Sequence, residues 1–195
     1  MIILASKSAS RRAMLTAAGV QFESVPADVD ERAMEVSLKG ALPDRIAGEL
    51  AIAKARAVSH LHPDALVLGS DSLVVCDGRR FDKPQSQSDA ADHLRAFSGK
   101  VMELHSAAAL ARDGQVIWQF ADVAHLTVRK LSDGFIADYL AQEWPDVGAC
   151  VGVFRIEGLG VQLFERIDGS HFTVLGMPLL PVLGAIREFG RDFGG

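Results

Sequence analysis

The first five residues, Met1-Ile2-Ile3-Leu4-Ala5, are apolar and include β-branched side chains, the pattern of a buried strand. Polar Ser6-Lys7-Ser8-Ala9-Ser10-Arg11-Arg12 follows at once. Met14, Leu15 and Ala18 then recur at helical spacing up to Gly19. The pattern predicts a strand, a hydroxyl-rich turn and a helix. Gln21 to Pro26 reads as a second strand, and residues 27–32 as a polar loop dense in carboxylates. Pro43 to Ser59 predicts an alanine-rich helix with Ile46, Leu50, Ala53 and Ala57 on one face and Lys54 beside that stripe. Residues 65–76 form the next strand, and Asp77-Gly78 is a hairpin turn with Phe81 to Pro84 ending the returning arm. A helix is expected from Ser88, its N-cap, to Phe97, with Ser98-Gly99 as its stop. Residues 102–112 and 115–128 are strands joined by Asp113-Gly114. Ser132 starts a helix to about Glu143, and 147–156 is irregular to extended. Glu157-Gly158-Leu159-Gly160 and Asp168-Gly169-Ser170 read as turns, the second leading into a strand from His171 to Leu175. Pro178 opens the last helix, with Leu179, Leu180, Leu183 and Ile186 on its buried face, and the glycine-rich end is expected to fray. Helices alternating with strands, plus two hairpins, predict an α/β fold with a mixed sheet flanked by helices.

Composition narrows the function. A chain of 195 residues, 49% hydrophobic and 23% charged, fits one domain spanning 1–195, with room for two lobes around a cleft. A net charge of −5 disfavours binding to a nucleic-acid polymer, so a basic pocket in this acidic chain points to a small anion. Cys76 and Cys150 make no disulfide framework, which places the chain in a reducing, cytoplasmic compartment. The N-terminal apolar run lacks the length and basic lead of a signal peptide, and no apolar stretch has the length of a membrane span. The histidines, His60 and His62 among them, show no metal-site spacing.

The first helix start is where small-anion chemistry is most legible. Unpaired N–H groups and a positive dipole end favour acidic residues there, yet this start carries Arg11 and Arg12, with Lys7 nearby. Serine hydroxyls, N–H groups and guanidinium forks suit phosphate. The same residues also read as a serine N-cap with arginines paired to surface acids. Neither of the common glycine-rich phosphate loops is present.

Asp71 interrupts an apolar strand between Gly69-Ser70 and Ser72. A carboxylate in such a place is usually paired or functional, and the adjacent glycine would let a ligand approach the backbone. Beside a metal or phosphate, it would orient and deprotonate water. The alternative is an aspartate that caps a strand end. Lys54 and Lys83 would neutralise phosphate oxygens, though on spacing alone each also reads as a solvated lysine. Pro84 restricts Lys83 to extended backbone. Glu31, after Asp28 and Asp30, would serve as a metal ligand or belong to a solvated turn.

Seven segments taken together resemble the Maf family of nucleoside triphosphate pyrophosphatases, in the family's order and over nearly the whole chain. They are Leu4 to Arg12, Asp28-Val29-Asp30-Glu31, Ala53-Lys54-Ala55, Gly69-Ser70-Asp71, Lys83-Pro84, Glu157-Gly158-Leu159-Gly160 and Gly169-Ser170. The resemblance implies an elongated, twisted mixed sheet with a nucleotide cleft between two lobes. It also implies a divalent cation, Mg²⁺ or Mn²⁺, and hydrolysis of a nucleoside triphosphate to the monophosphate and diphosphate. By that resemblance Asp71 is the proton acceptor and, with Glu31, a metal ligand. Ser8, Arg11, Arg12, Glu31, Lys54 and Lys83 would line the polyphosphate site. The rival reading is a nucleotide-sensing regulator of cell division that does not turn its ligand over. A homodimer is compatible with either.

The chain departs from the common family pattern at Ala9, Ser10, Ser72 and Glu157, positions linked to base selectivity. Small Ser10 and Ser72 leave the substrate site open, which would allow a broad range of bases. Glu157 stands where pyrimidine-type members carry Gln. A carboxylate only accepts hydrogen bonds, so it matches the adjacent N1–H and N2–H₂ donors of guanine, including 7-methylguanine. Uracil, with one N–H between two carbonyls, suits an amide better. Alternatively, Glu157 pairs with Arg155 or Arg166.

Overall fold

The computed structural model describes residues 1–190, so the glycine-rich end expected to fray lies outside the described residues. The chain divides into two compact units, one of Met1–Ser72, His105–Val123 and Ser170 onward, the other of Leu73–Leu104 and Ala124–Gly169.

The first unit opens with β1 (Ile2–Leu4), α1 (Ala9–Ala17) and β2 (Glu23–Ser24), followed by α2 (Glu31–Ser37), α3 (Pro43–Leu61) and the first part of β3 (Leu66–Cys76). β1 pairs in parallel with β2 and with β3, Ile2 opposite Leu66 and Leu4 opposite Leu68. Parallel neighbours need a crossover that covers the sheet, which is why β1 and its partner stretch Leu66–Leu68 of β3 read as apolar runs. Alternate residues serve opposite faces. Leu4, Leu66 and Leu68 join Met14 and Leu15 of α1, while Ile3, Ala5 and Val67 join Val58 of α3. The unit also holds most of β5 (Val101–Arg112) and β6 (Gln115–Val128), then α6 (His171–Val174) and α7 (Leu179–Phe189).

The second unit takes the end of β3, β4 (Arg79–Phe81), α4 (Gln87–Phe97), α5 (Asp133–Glu143), β7 (Phe164–Asp168) and two 3₁₀ turns, Asp146–Ala149 and Leu159–Leu163. Phe81 packs edge-on against Phe97 at 4.6 Å, and Arg95 of α4 donates to Asp133 of α5 at 2.7 Å. The strand order is β2-β1-β3-β5-β6-β7 with β4 on β3. With parallel β1–β3 and antiparallel β3–β4 and β6–β7, the sheet is mixed, as expected. β7 pairs only with His125–Val128 of β6. Earlier on β6, Trp118 and Phe120 stack at 6.3 Å, and Phe120 is 40% exposed.

Several expectations are corrected. Residues 31 and 32 are helical rather than loop. Asp30 caps α2 by accepting from the Ala33 N–H, and the helix buries no residue, so it left no apolar period to read. α3 buries Ala47, Leu50, Ala51, Lys54, Ala55 and Val58, a face rotated from Ile46, Leu50, Ala53 and Ala57. Alanine on every side makes the two faces alike in sequence. Arg11, not Ala18, completes the buried stripe of α1 with Met14 and Leu15. Ser86, not Ser88, caps α4, accepting from the Asp89 N–H at 3.1 Å. Residues 164–168 form a strand, whereas the strand expected from His171 to Leu175 is a helical turn over 171–174. Ser170 caps that turn, and Gly176, at φ +96°, follows it. Leu180 is exposed, and Leu179, Val182 and Ala185 carry the buried face of α7.

Candidate functional site

In the first unit the site grows from the approach of α3 to β3. A Cβ at Gly69 would stand 2.1 Å from the Ala51 carbonyl oxygen and 2.6 Å from the Ala55 nitrogen. The glycine thus admits the backbone of α3, not a ligand as its sequence context implied. Lys54 lies on that seam and is buried. Its Nζ donates to Asp71 Oδ1 at 2.6 Å and sits 2.9 Å from Glu31 Oε1. Asp71, buried on β3, is therefore a paired interior carboxylate rather than a strand cap, and Lys54 is not a solvated lysine. Glu31 reaches the same ammonium from the first turn of α2, with its side chain half-exposed.

Arg11 forms the second part. Its guanidinium donates from Nε to the Gly176 carbonyl at 2.9 Å, from Nη1 to Ser6 Oγ at 3.3 Å and from Nη2 to Ser72 Oγ at 3.1 Å. Burial pulls its pKa below the ordinary arginine value, while the charges of Asp71 and Glu31 oppose that shift. Ser6 Oγ also accepts from the Ser8 N–H, and Ser8 Oγ caps α1 by accepting from the Arg11 N–H. Arg12 is exposed and donates to the Lys7 carbonyl at 2.8 Å. Both arginines thus take hydroxyl and carbonyl partners, not the surface acids of the alternative reading. The first turn of α1 carries no acidic residue. Ser70, buried beneath this group, donates to the Ala107 carbonyl at 2.8 Å and to Gly176 at 3.3 Å. Gly176 had no signal in sequence beyond being a glycine before Met-Pro. Its carbonyl is shared by Arg11 and Ser70.

Ser8, Arg11, Arg12, Glu31, Lys54, Asp71 and Ser72 all belong to the first unit, whereas Lys83 and Glu157 belong to the second. Lys83 is exposed just before buried Pro84. Glu157 is exposed at its turn. Its two proposed partners are engaged elsewhere, Arg155 with Glu143 and Asp146, and Arg166 with Asp168. Cys150, half-buried, lies within electrostatic reach of both. Burial and Glu157 push its thiol up, against Arg155 and Lys83.

Among the described residues no three His, Cys, Asp or Glu side chains gather as a metal cluster. The available donor set is Glu31 and Asp71, whose carboxylates meet at one ammonium. Two hard oxygen donors fit Mg²⁺ or Mn²⁺, which take remaining ligands from phosphate and water.

A family model described as Maf-like protein matches residues 1–189. A 7-methyl-GTP pyrophosphatase of Rhizobium etli is 48% identical over 195 residues, covering 99% of this chain and 98% of its own. One of Rhizobium meliloti is 46% identical over 192 residues, with 97% and 96% covered. A nucleoside triphosphate pyrophosphatase of Nitrobacter hamburgensis is 46% identical over 189 residues, with 97% and 94% covered.

Proposed function

The chain belongs to the Maf-like family, and on that premise we propose that it is a divalent-metal-dependent nucleoside triphosphate pyrophosphatase. It acts as one catalytic domain in the cytoplasm, as a monomer or a homodimer. The observation that carries the reading is the buried Lys54 ammonium joined to both Asp71 and Glu31.

Asp71 takes a proton from the attacking water while the water oxygen bonds to phosphorus. The P–O bond to the diphosphate breaks, and the monophosphate and diphosphate leave. Lys54 orients the Asp71 carboxylate through the 2.6 Å contact. The capped start of α1, with Ser8, Arg12 and the positive end of its dipole, receives phosphate oxygens. Arg11, held by Ser6, Ser72 and Gly176, adds fixed positive charge, and Lys83 is assigned to the polyphosphate on the family resemblance. Glu31 and Asp71 would hold the cation. When bound, it supplies charge neutralisation on the polyphosphate. Glu157 reads the base and favours a guanine edge. The names of two of the relatives support this preference, extending it to 7-methylguanine.

The test is release of diphosphate from a panel of nucleotides, including 7-methyl-GTP, by the parent and by Asp71→Asn. The variant keeps size and loses basicity. Its kcat is expected to fall by about 10²-fold or more, with nucleotide binding retained. A folded variant within about threefold of the parent removes Asp71 from the chemistry. Binding without turnover by the parent favours the sensor.

A further inference from the structure

The second unit contains an ion pair, its carboxylate buried and its guanidinium partly exposed, with no part in the mechanism above. Glu143, the last residue of α5, has a side chain only 6% exposed. Its Oε2 accepts from both Nε and Nη2 of Arg155, at 3.1 and 3.0 Å, while Nη1 of Arg155 donates to Asp146 at 3.0 Å. Burial strips water from the Glu143 carboxylate while Arg155 keeps part of its own, so the pair contributes little net stability. Its geometric consequence is more specific.

Arg155 lies two residues before Glu157, and the turn that carries Glu157 folds back onto it. The Gly158 N–H donates to the Arg155 carbonyl at 3.1 Å. A Cβ at Gly160 would stand 2.5 Å from that carbonyl oxygen and 2.8 Å from the Arg155 nitrogen. The Glu143 carboxylate lies beside the turn, with Oε1 3.6 Å from where a Cβ at Gly158 would stand. One helical turn earlier on α5, Tyr139 donates its hydroxyl to the Val153 carbonyl at 3.0 Å. Val153 sits at φ +57°, a strained conformation for a β-branched residue that persists only when its surroundings impose it. The C-terminal turn of α5 therefore grips residues 153–155 at two points, and Glu157 projects from the clamped segment. With Arg155 and Arg166 both paired elsewhere, backbone placement is what aims the Glu157 carboxylate.

We infer that Glu143 and Arg155 are positioning residues for base selectivity: their ion pair fixes the Glu157 turn so that its carboxylate can discriminate between base edges. This rests on the reading of Glu157 as the base contact. A carboxylate that reads two adjacent donors must be held to within about 0.5 Å, and a loosened turn loses that register without losing the phosphate chemistry.

The experiment measures kcat/KM for GTP and UTP in the parent, Glu157→Gln, Glu143→Gln, Arg155→Lys and the Glu143→Gln/Glu157→Gln double variant, with circular dichroism to check folding. Arg155 is partly exposed, and lysine keeps the charge but not the fork, so that variant carries the test if Glu143→Gln does not fold. The GTP-to-UTP ratio is expected to fall about tenfold in Glu157→Gln. It should fall by roughly threefold or more in Glu143→Gln and in Arg155→Lys, and no further in the double variant than in Glu157→Gln alone. A general structural role would lower both substrates in proportion and leave the ratio unchanged. If Glu157→Gln shifts the ratio while Glu143→Gln and Arg155→Lys do not, the positioning role is overturned and the Glu157 reading stands. If no variant shifts it, Glu157 does not meet the base and both statements fall.

Discussion

Lys54 is where one side chain decides most. It neutralises a buried carboxylate and ties a half-exposed one to it, so removing its charge strands Asp71 in the interior. Lys54→Met is expected to lower stability in urea by about 3–5 kcal/mol. The double variant Lys54→Met/Asp71→Asn should recover part of that loss, because no ionised group is left unpaired. A double variant no more stable than Lys54→Met would show that the cost comes from packing of the lysine stem. The importance of Asp71 was legible from sequence, since a carboxylate inside Leu-Val-Leu-Gly-Ser-Asp-Ser-Leu-Val-Val is conspicuous. The burial of Lys54 was not. Its neighbours on α3 are alanines on all sides, and only the shape of β3 at Gly69 selects the face that turns inward. Arg11 stands out in sequence for its charge, but its Ser72 hydroxyl and Gly176 carbonyl partners are 61 and 165 residues away, beyond any local pattern.

At the scale of elements, the seam between α3 and β3 closes only because one methyl group is absent. Gly69→Ala would drive a carbon into the Ala51 carbonyl, and the expected cost is about 1–3 kcal/mol or more, with loss of activity as Lys54 is displaced from Asp71. The control is Gly184→Ala on α7, where the added carbon meets nothing within 4 Å. There the substitution should stabilise by about 0.5–1 kcal/mol. Equal effects at both positions in thermal unfolding would show that the seam tolerates the shift. The two hairpins were legible for a local reason: Asp77-Gly78 and Asp113-Gly114 place both residues at positive φ, as a tight turn with right-handed strand twist demands. α2 and α6 were not. The first buries nothing and so shows no period, and the second is four residues long, with its fate set by a serine cap and a nearby glycine rather than by Thr173 and Val174.

For the molecule as a whole, order along the chain was the strongest signal. Each of the seven segments is weak alone, but their joint order matched a family that the whole-chain comparison then bore out. The division into two units was less legible, because β3, β5 and β6 each contribute residues to both, and a strand crossing a unit boundary looks like any other strand. One of those strands has a consequence for the protein in solution. Because β7 covers only the last four residues of β6, the stretch from Gln115 to Ala124 has no strand on that side among the described residues. Strand edges are commonly protected by lysine, proline or a bulge. This stretch has neither lysine nor proline, its Asp122 is engaged by Thr173, and it exposes Phe120 between Gln119 and Ala121. Concentrated solutions are therefore expected to become turbid and to show growing particle size by light scattering, an effect that Gln119→Lys should suppress while leaving the monomer's melting temperature unchanged. Shelf life, by this account, is set at a strand edge far in sequence from the residues that do the chemistry.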